Sequence, residues 1–259
     1  MMSFRKGLGD FQLPLSTVWL MNDIAEAKGR QDLYTKQSPQ ILKALRDMAM
    51  VPSVESSNRI EGVTVAPDRL RPLVLGHTRP KNRSEEEIQG YRNARQRIHT
   101  AAADLPITPE SLKDLHRVIQ KGSGDAGQWK NVDNDIIEFR PGEAPRVRFQ
   151  TLAVKQVPKA VEEMCLLNHH ALDQQHVPAL VAVACLVLDF LCIHPFRDGN
   201  GRVSRLLTVL ALYHHGNEVG RYISLERLIE ESKEDYYSVL QSSSTGWHEG
   251  THDLLPWLN

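Results

Sequence analysis

The stretch Pro178-Ala-Leu-Val-Ala-Val-Ala-Cys-Leu-Val-Leu-Asp-Phe-Leu-Cys-Ile193 runs directly into His194-Pro-Phe-Arg-Asp-Gly-Asn-Gly-Arg-Val-Ser-Arg205. From Val177 to Ile193 the chain is almost entirely apolar, interrupted by Pro178 and Asp189. It falls short of the roughly 20 apolar residues that span a bilayer. It therefore reads as a helix buried in a protein core, and no membrane partner is expected. Pro178 opens this helix, and Gly216 closes the one that follows the 194–205 loop.

Helix signals continue on both sides. Ser38-Pro39 has the form of an N-cap followed by proline at the first helical position, opening a stretch through Met50. Ser84 and Glu87 have capping-box spacing, for a helix running through Ile98. Thr108-Pro109 opens another, with Leu112, Leu115, Val118 and Ile119 on one face and Gly122 at its end. Leu225 to Leu240 reads as one solvated amphipathic helix. The exception is 131–150, where Asp135-Ile-Ile-Glu-Phe139 and Arg146-Val-Arg-Phe149 flank a Pro-Gly-Glu-Ala-Pro turn. This predicts a hairpin, and a lone hairpin needs a surface to pack on. The fold expected is all-α, a mainly helical bundle with one β-hairpin flap across it. The apolar end, Leu254-Leu-Pro-Trp-Leu-Asn259, resembles the opening of another helix, with a further C-terminal domain beyond it expected.

Bulk properties narrow the function. The chain has 259 residues, 41% hydrophobic and 24% charged, and a net charge of -1. That is an ordinary globular composition with no global basic field, so no nucleic-acid partner is expected. The three cysteines, Cys165, Cys185 and Cys192, form no CxxC and no paired framework. Reduced cysteines and no evident signal peptide lead to an expected cytoplasmic location. The pairs His169-His170 and His214-His215 lack zinc-site spacing.

The 194–205 loop carries the chemistry. Asp-Gly and Asn-Gly alone are turn signals. Glycines on both sides of Asn200, however, let successive backbone N–H groups form an anion-binding nest where the next helix begins. Arg202 and Arg205 in the first turn oppose the helix dipole unless an anion lies between them. Asp198 is a hard oxygen ligand suited to Mg²⁺ bridging phosphates. His194, mounted at the end of the buried helix, is placed to take a proton from a hydroxyl; its plainer role is a helix C-cap. The residues themselves thus give a metal–polyphosphate loop with a base. There is no Walker-type GxxxxGK.

His194 to Arg205 matches HxFx(D/E)GNGRxxR at every defined position, and on this motif the chain resembles the Fic proteins. The likeness extends over most of 40–259: a core at 101–259, with flap 131–150 and loop 194–205, behind an N-terminal helical region at 1–100. It implies transfer of AMP from ATP to a Ser, Thr or Tyr hydroxyl of a protein. His194 would be the base, Asp198 would hold Mg²⁺, and Gly199, Asn200 and Gly201 would form the anion hole. Arg202 would assist the phosphates, and Arg205 would reach the γ-phosphate. Ile136, Ile137 and Glu138 of the flap would lie over the nucleotide, with the protein substrate paired along the flap. Tyr236 and Tyr237 would stand beside the adenine, with Ser244 where some relatives carry asparagine.

Ser57-Asn-Arg-Ile-Glu61-Gly62 matches (S/T)xxxE(G/N), the inhibitory motif of many Fic proteins. The likeness implies that a helix over about 40–62 brings Glu61 onto Arg205 and blocks the γ-phosphate. Two other readings stand beside self-inhibited AMP transfer: removal of AMP by the same site, and a non-catalytic ATP-binding interaction module. Gly201 argues against the kinase-like branch, which has lysine there. Members of the family often form homodimers, which is the partner state expected.

Overall fold

The structure, a computed structural model, describes residues 2–6, 11–138, 142, 144–173 and 177–259. The order is α1 Leu15–Thr35, α2 Pro39–Ile60, α3 Pro67–Val74, α4 Arg83–Ala101, α5 Pro109–Ile119, β1 Ile136–Glu138, β2 Arg146–Phe149, α6 Val157–Asp173, α7 Ala179–Ile193, α8 Asn200–His214, α9 Leu225–Glu231, α10 Lys233–Ser244 and α11 Leu255–Leu258. The fold is mostly helical with one small antiparallel hairpin, as the sequence leads one to expect. Among the described residues no helix is long and apolar enough to cross a membrane.

At the centre lies α7, buried from Val181 to Ile193 except at Ala184. It packs between α6 and α8, while α4 and α5 cover α8 from the other side. Asp189, the one charge in this helix, is fully buried. It accepts hydrogen bonds from the Ser3 N–H and hydroxyl and from Trp247 Nε1, at 2.7 to 2.9 Å. The carboxylate thereby ties both ends of the chain to the helix that carries the loop, although burial pushes its pKa up to about 6.

The termini of the elements follow local chemistry. Ser38 and Thr108 cap α2 and α5 through side-chain oxygens, with proline next. The cap of α4 differs from the capping-box expectation. It is Asn82, whose Oδ1 accepts from the Glu85 N–H at 3.0 Å. Ser84 lies inside the helix, and Glu87 faces the loop of α8 instead. The Ser38-opened helix also continues beyond Met50, through Pro52, to Ile60. The expected single helix 225–240 is two helices, meeting at Ser232, whose hydroxyl turns back onto the Leu228 carbonyl.

The hairpin pairs Ile136 with Phe149, Ile137 with Val147 and Glu138 with Arg146. Phe139 and, within the expected turn, Pro141 and Glu143 lie outside the described residues. Its base is fastened to the core: Asn134 Nδ2 donates to the Phe196 and Arg197 carbonyls, and the Lys130 N–H to the Pro195 carbonyl. At the C-terminal end, α11 folds back, with Trp257 Nε1 donating to the Ala184 carbonyl at 3.0 Å.

Candidate active site

The 194–205 loop is a rigid bridge between α7 and α8. His194 ends α7 in the left-handed region, at φ 51° and ψ 61°, the one non-glycine with positive φ among the described residues. Such a conformation costs a side-chain-bearing residue of order 1 kcal/mol or more and persists only where its surroundings fix it. Here Pro195 and Phe196 are buried directly behind it. The Phe196 ring stacks on His116 at 3.9 Å. Asn200 Oδ1 accepts from the Phe196 N–H at 2.9 Å, and its Nδ2 donates to the Phe196 carbonyl at 2.8 Å. The Asn200 side chain thus closes the loop on itself, leaving only its backbone for an anion.

Gly199, at φ 79°, turns the chain into α8, and no side chain caps the first turn. The open N–H groups and the helix dipole make this end attractive to negative charge. A carboxylate is already there. Glu61 Oε1 would collide with a Cβ placed on Gly201, and it lies 2.7 Å from Arg205 Nη2. The same guanidinium donates to the Ser57 hydroxyl and carbonyl, each at 2.8 Å. Arg205 is buried, so these contacts satisfy a charge that water does not reach.

Arg202 takes a different course from its neighbour. It is buried and directed at α4, where Nη1 meets Glu87 Oε2 at 2.6 Å; Asp198 Oδ2 stands 3.6 Å from Nη2. Asp198 itself has a side chain that is 64% exposed. Among the described residues no group of three or more His, Cys, Asp or Glu could hold a metal ion. One open carboxylate does not make a closed protein cage. It does fit Mg²⁺ completed by phosphate oxygens and water.

A cavity of about 380 Å³ collects Glu61, Ile136, His194, Gly201, Tyr237 and Ser244. A second, polar hollow of about 590 Å³ includes Gln120, Asn131 and Asp198, with Arg197 lining both. Of the three flap residues, Ile136 faces the first cavity. Ile137 is 49% exposed, and Glu138 pairs with Arg146. Tyr237 lines the cavity; Tyr236 packs on Trp257, with ring centroids 5.3 Å apart. The two tyrosine rings still meet edge to face, with centroids 5.5 Å apart.

Burial holds the His194 imidazole down at about pKa 4; the Lys130 charge adds to this, and the Leu191 carbonyl, Glu61 and Asp198 offset part of it. The ring is therefore neutral at pH 7. Lys130 is itself buried and lowered to about 8, again by burial, with its ammonium donating to Thr151 Oγ1 at 2.7 Å. Sequence reasoning missed Glu87, His116, Gln120 and Lys130. Only His116 left a trace, as a polar residue on the apolar face of α5.

Residues 106–212 match the family model described as Fic/DOC family. A Fic family protein from Desulfovibrio desulfuricans G20 is similar at a TM-score of 0.72 and 21% identity, over 96% of this chain and 71% of its own. A Fic domain containing signaling protein from Bacteroides thetaiotaomicron VPI-5482 gives 0.71 and 21%, over 94% and 91%. Fic-1 from C. elegans, residues 134–508, gives 0.69 and 17%, over 94% and 68%. At these identities the structural likeness is one of fold.

Proposed function

We propose, from the match of residues 106–212 to the Fic/DOC family model, a class that commonly transfers AMP or other nucleotide-derived groups to proteins, that this chain is a Mg²⁺-dependent protein adenylyltransferase held in check by Glu61. One observation carries the proposal: a carboxylate oxygen of Glu61 sits against Gly201 and on Arg205. It stands where an anion is favoured by the first turn of α8 and by a buried guanidinium together, and so marks a phosphate position.

In the active arrangement Glu61 leaves, and Arg205 is free to take the terminal phosphate of ATP. The backbone at Gly199, Asn200 and Gly201 receives phosphate oxygens, and Asp198 would hold Mg²⁺, which supplies charge neutralisation when bound. Tyr237 and Ser244 line the remainder of the cavity, where the nucleoside fits. The flap edge pairs with the target backbone and presents a hydroxyl to His194. The neutral ring accepts the hydroxyl proton as the oxygen bonds to the α-phosphorus. The bond from that phosphorus to the bridging oxygen breaks, and pyrophosphate leaves with the electron pair. Positioning and electrostatics supply the rate.

The test is labelling with ATP isotopically marked in the adenosine moiety. Glu61→Gly should label protein, itself included, faster than the unaltered chain, and His194→Ala should abolish labelling. Transfer at equal rates with and without Glu61 overturns the inhibitory assignment. Mg²⁺-dependent ATP binding with no covalent transfer in Glu61→Gly supports the non-catalytic module instead. Glu61 and His194 also line one cavity, which supports the reverse reaction, with the glutamate orienting a water toward an AMP-modified side chain. Release of AMP from a modified target by the unaltered chain, lost in Glu61→Gly, assigns that direction.

A further inference from the structure

Beneath Asp198, α5 and its C-cap present two buried polar side chains four residues apart, His116 and Gln120. His116 Nδ1 accepts the Gly127 N–H at 2.9 Å, so the proton of the neutral ring lies on Nε2. Nε2 is 3.1 Å from the Asp198 carbonyl and donates to it. Gln120 Nε2 donates to Asp198 Oδ2, also at 3.1 Å. The glycine turn interlocks with the same pair, since a Cβ on Gly199 would stand 3.0 Å from Gln120 Nε2 and 3.6 Å from the His116 ring. Main chain and carboxylate of one residue are thus gripped from one helix.

The carboxylate has two further neighbours: the Gly199 N–H, which donates to Oδ1 at 2.6 Å, and Arg202, whose Nη2 is 3.6 Å from Oδ2 while Glu87 fixes its Nη1. Without the Gln120 amide, Oδ2 would close onto this immobile guanidinium and be spent in a full ion pair. We propose that His116 and Gln120 are positioning residues that hold Asp198 off Arg202 and keep its carboxylate turned outward to bind a divalent cation. This rests on the metal role given to Asp198 above. The outward face borders the polar hollow shared with Asn131 and Arg197, where there is room for the cation and its waters.

The experiment measures Mn²⁺ binding by electron paramagnetic resonance, in the Glu61→Gly chain with an ATP analogue uncleavable between the α- and β-phosphates. Asp198→Ala is the reference for loss of the ligand. Gln120→Met keeps the length of the side chain and cannot donate; Gln120→Asn keeps the amide and cannot reach. Each should weaken Mn²⁺ binding about tenfold, the usual cost of losing an outer-shell partner, while metal-free nucleotide affinity stays within about twofold. Thermal melting shows which variants fold, and Gln120→Asn decides if Gln120→Met does not. Mn²⁺ affinity unchanged in a folded Gln120 variant but lost in Asp198→Ala overturns the positioning role and leaves the metal role intact. Affinity unchanged in Asp198→Ala overturns both.

Discussion

Glu61 Oε1 and Arg205 Nη2 are 2.7 Å apart, although the residues are separated by 144 positions in the chain. The Ser57 hydroxyl and carbonyl take two further bonds from the same guanidinium. The end of α2 therefore occupies the cation on which the first turn of α8 depends. The contact is asymmetric, because Arg205 is buried while the Glu61 side chain is 28% exposed. A charge that keeps contact with water can leave without a large solvation cost, whereas the buried arginine must stay. On the proposed inhibitory role of Glu61, the blocking group is the removable one, as a reversible block requires.

Glu61→Gly should raise the rate of AMP incorporation roughly ten- to a hundredfold. The charge-assisted bond it removes contributes about 1.5–3 kcal/mol, and about 1.4 kcal/mol is tenfold in rate. Ser57→Ala should give a smaller rise, because it loosens the arginine without clearing the carboxylate. Time courses of labelling check both, and a Ser57→Ala rate above that of Glu61→Gly would contradict the order.

Gly201→Ala should eject Glu61, because the added methyl falls on its carboxylate. Melting temperatures of the two single variants and the double variant form a cycle. A coupling of at least about 1 kcal/mol between the sites is expected for groups in contact. Additivity within about 0.5 kcal/mol would show that Glu61 does not rest on Gly201 in solution.

His194 should stay neutral far below the usual histidine range. Its pKa of about 4 reflects burial first and Lys130 second, so the acid limb of the transfer rate should not have its midpoint near 6.5. The stability consequence has a definite sign. The folded value lies below the unfolded one, so the unfolded chain binds more protons between about pH 6.5 and 4. Stability is lost as pH falls through that window, and less of it should be lost in His194→Gln. Imidazole chemical shifts against pH measure the value directly; a midpoint at or above 6.5 contradicts the account.

Glu87→Ala should destabilise the fold by about 3 kcal/mol, because it strands the buried Arg202 without its partner. For a chain of this size that corresponds to a melting temperature lower by roughly 6–12 °C. A fall of less than about 2 °C would mean that Arg202 finds another acceptor within reach, Asp198 being the nearest.

Much was legible in the chain because it is local. The caps at Ser38 and Thr108, the breaks at Pro178 and Gly216, and the alternation of β2 are fixed by a few neighbouring residues, and the structure places these elements there. The split at Ser232 was not legible, since the apolar spacing runs on through it. Nor was the cap of α4: Asn82 and Ser84 are both good capping residues, and the side chain that would complete a box with Ser84, Glu87, is drawn instead to a buried arginine.

The loop is encoded locally: a histidine, a carboxylate, a glycine nest and two arginines in twelve residues, following an apolar helix that needs a helical core around it. Twelve contiguous residues carry their own geometry, since backbone dihedrals and helix phase set where each group can point. What each group meets depends on the packed fold. It sends Arg205 to Glu61 and Arg202 to Glu87, puts Ile136 and Tyr237 in the cavity, and sets His116 and Gln120 under Asp198. Those partners come from α2, α4, α5, α10 and the flap. Their meeting depends on how helices pack, a long-range outcome that the side chains at either end do not encode alone.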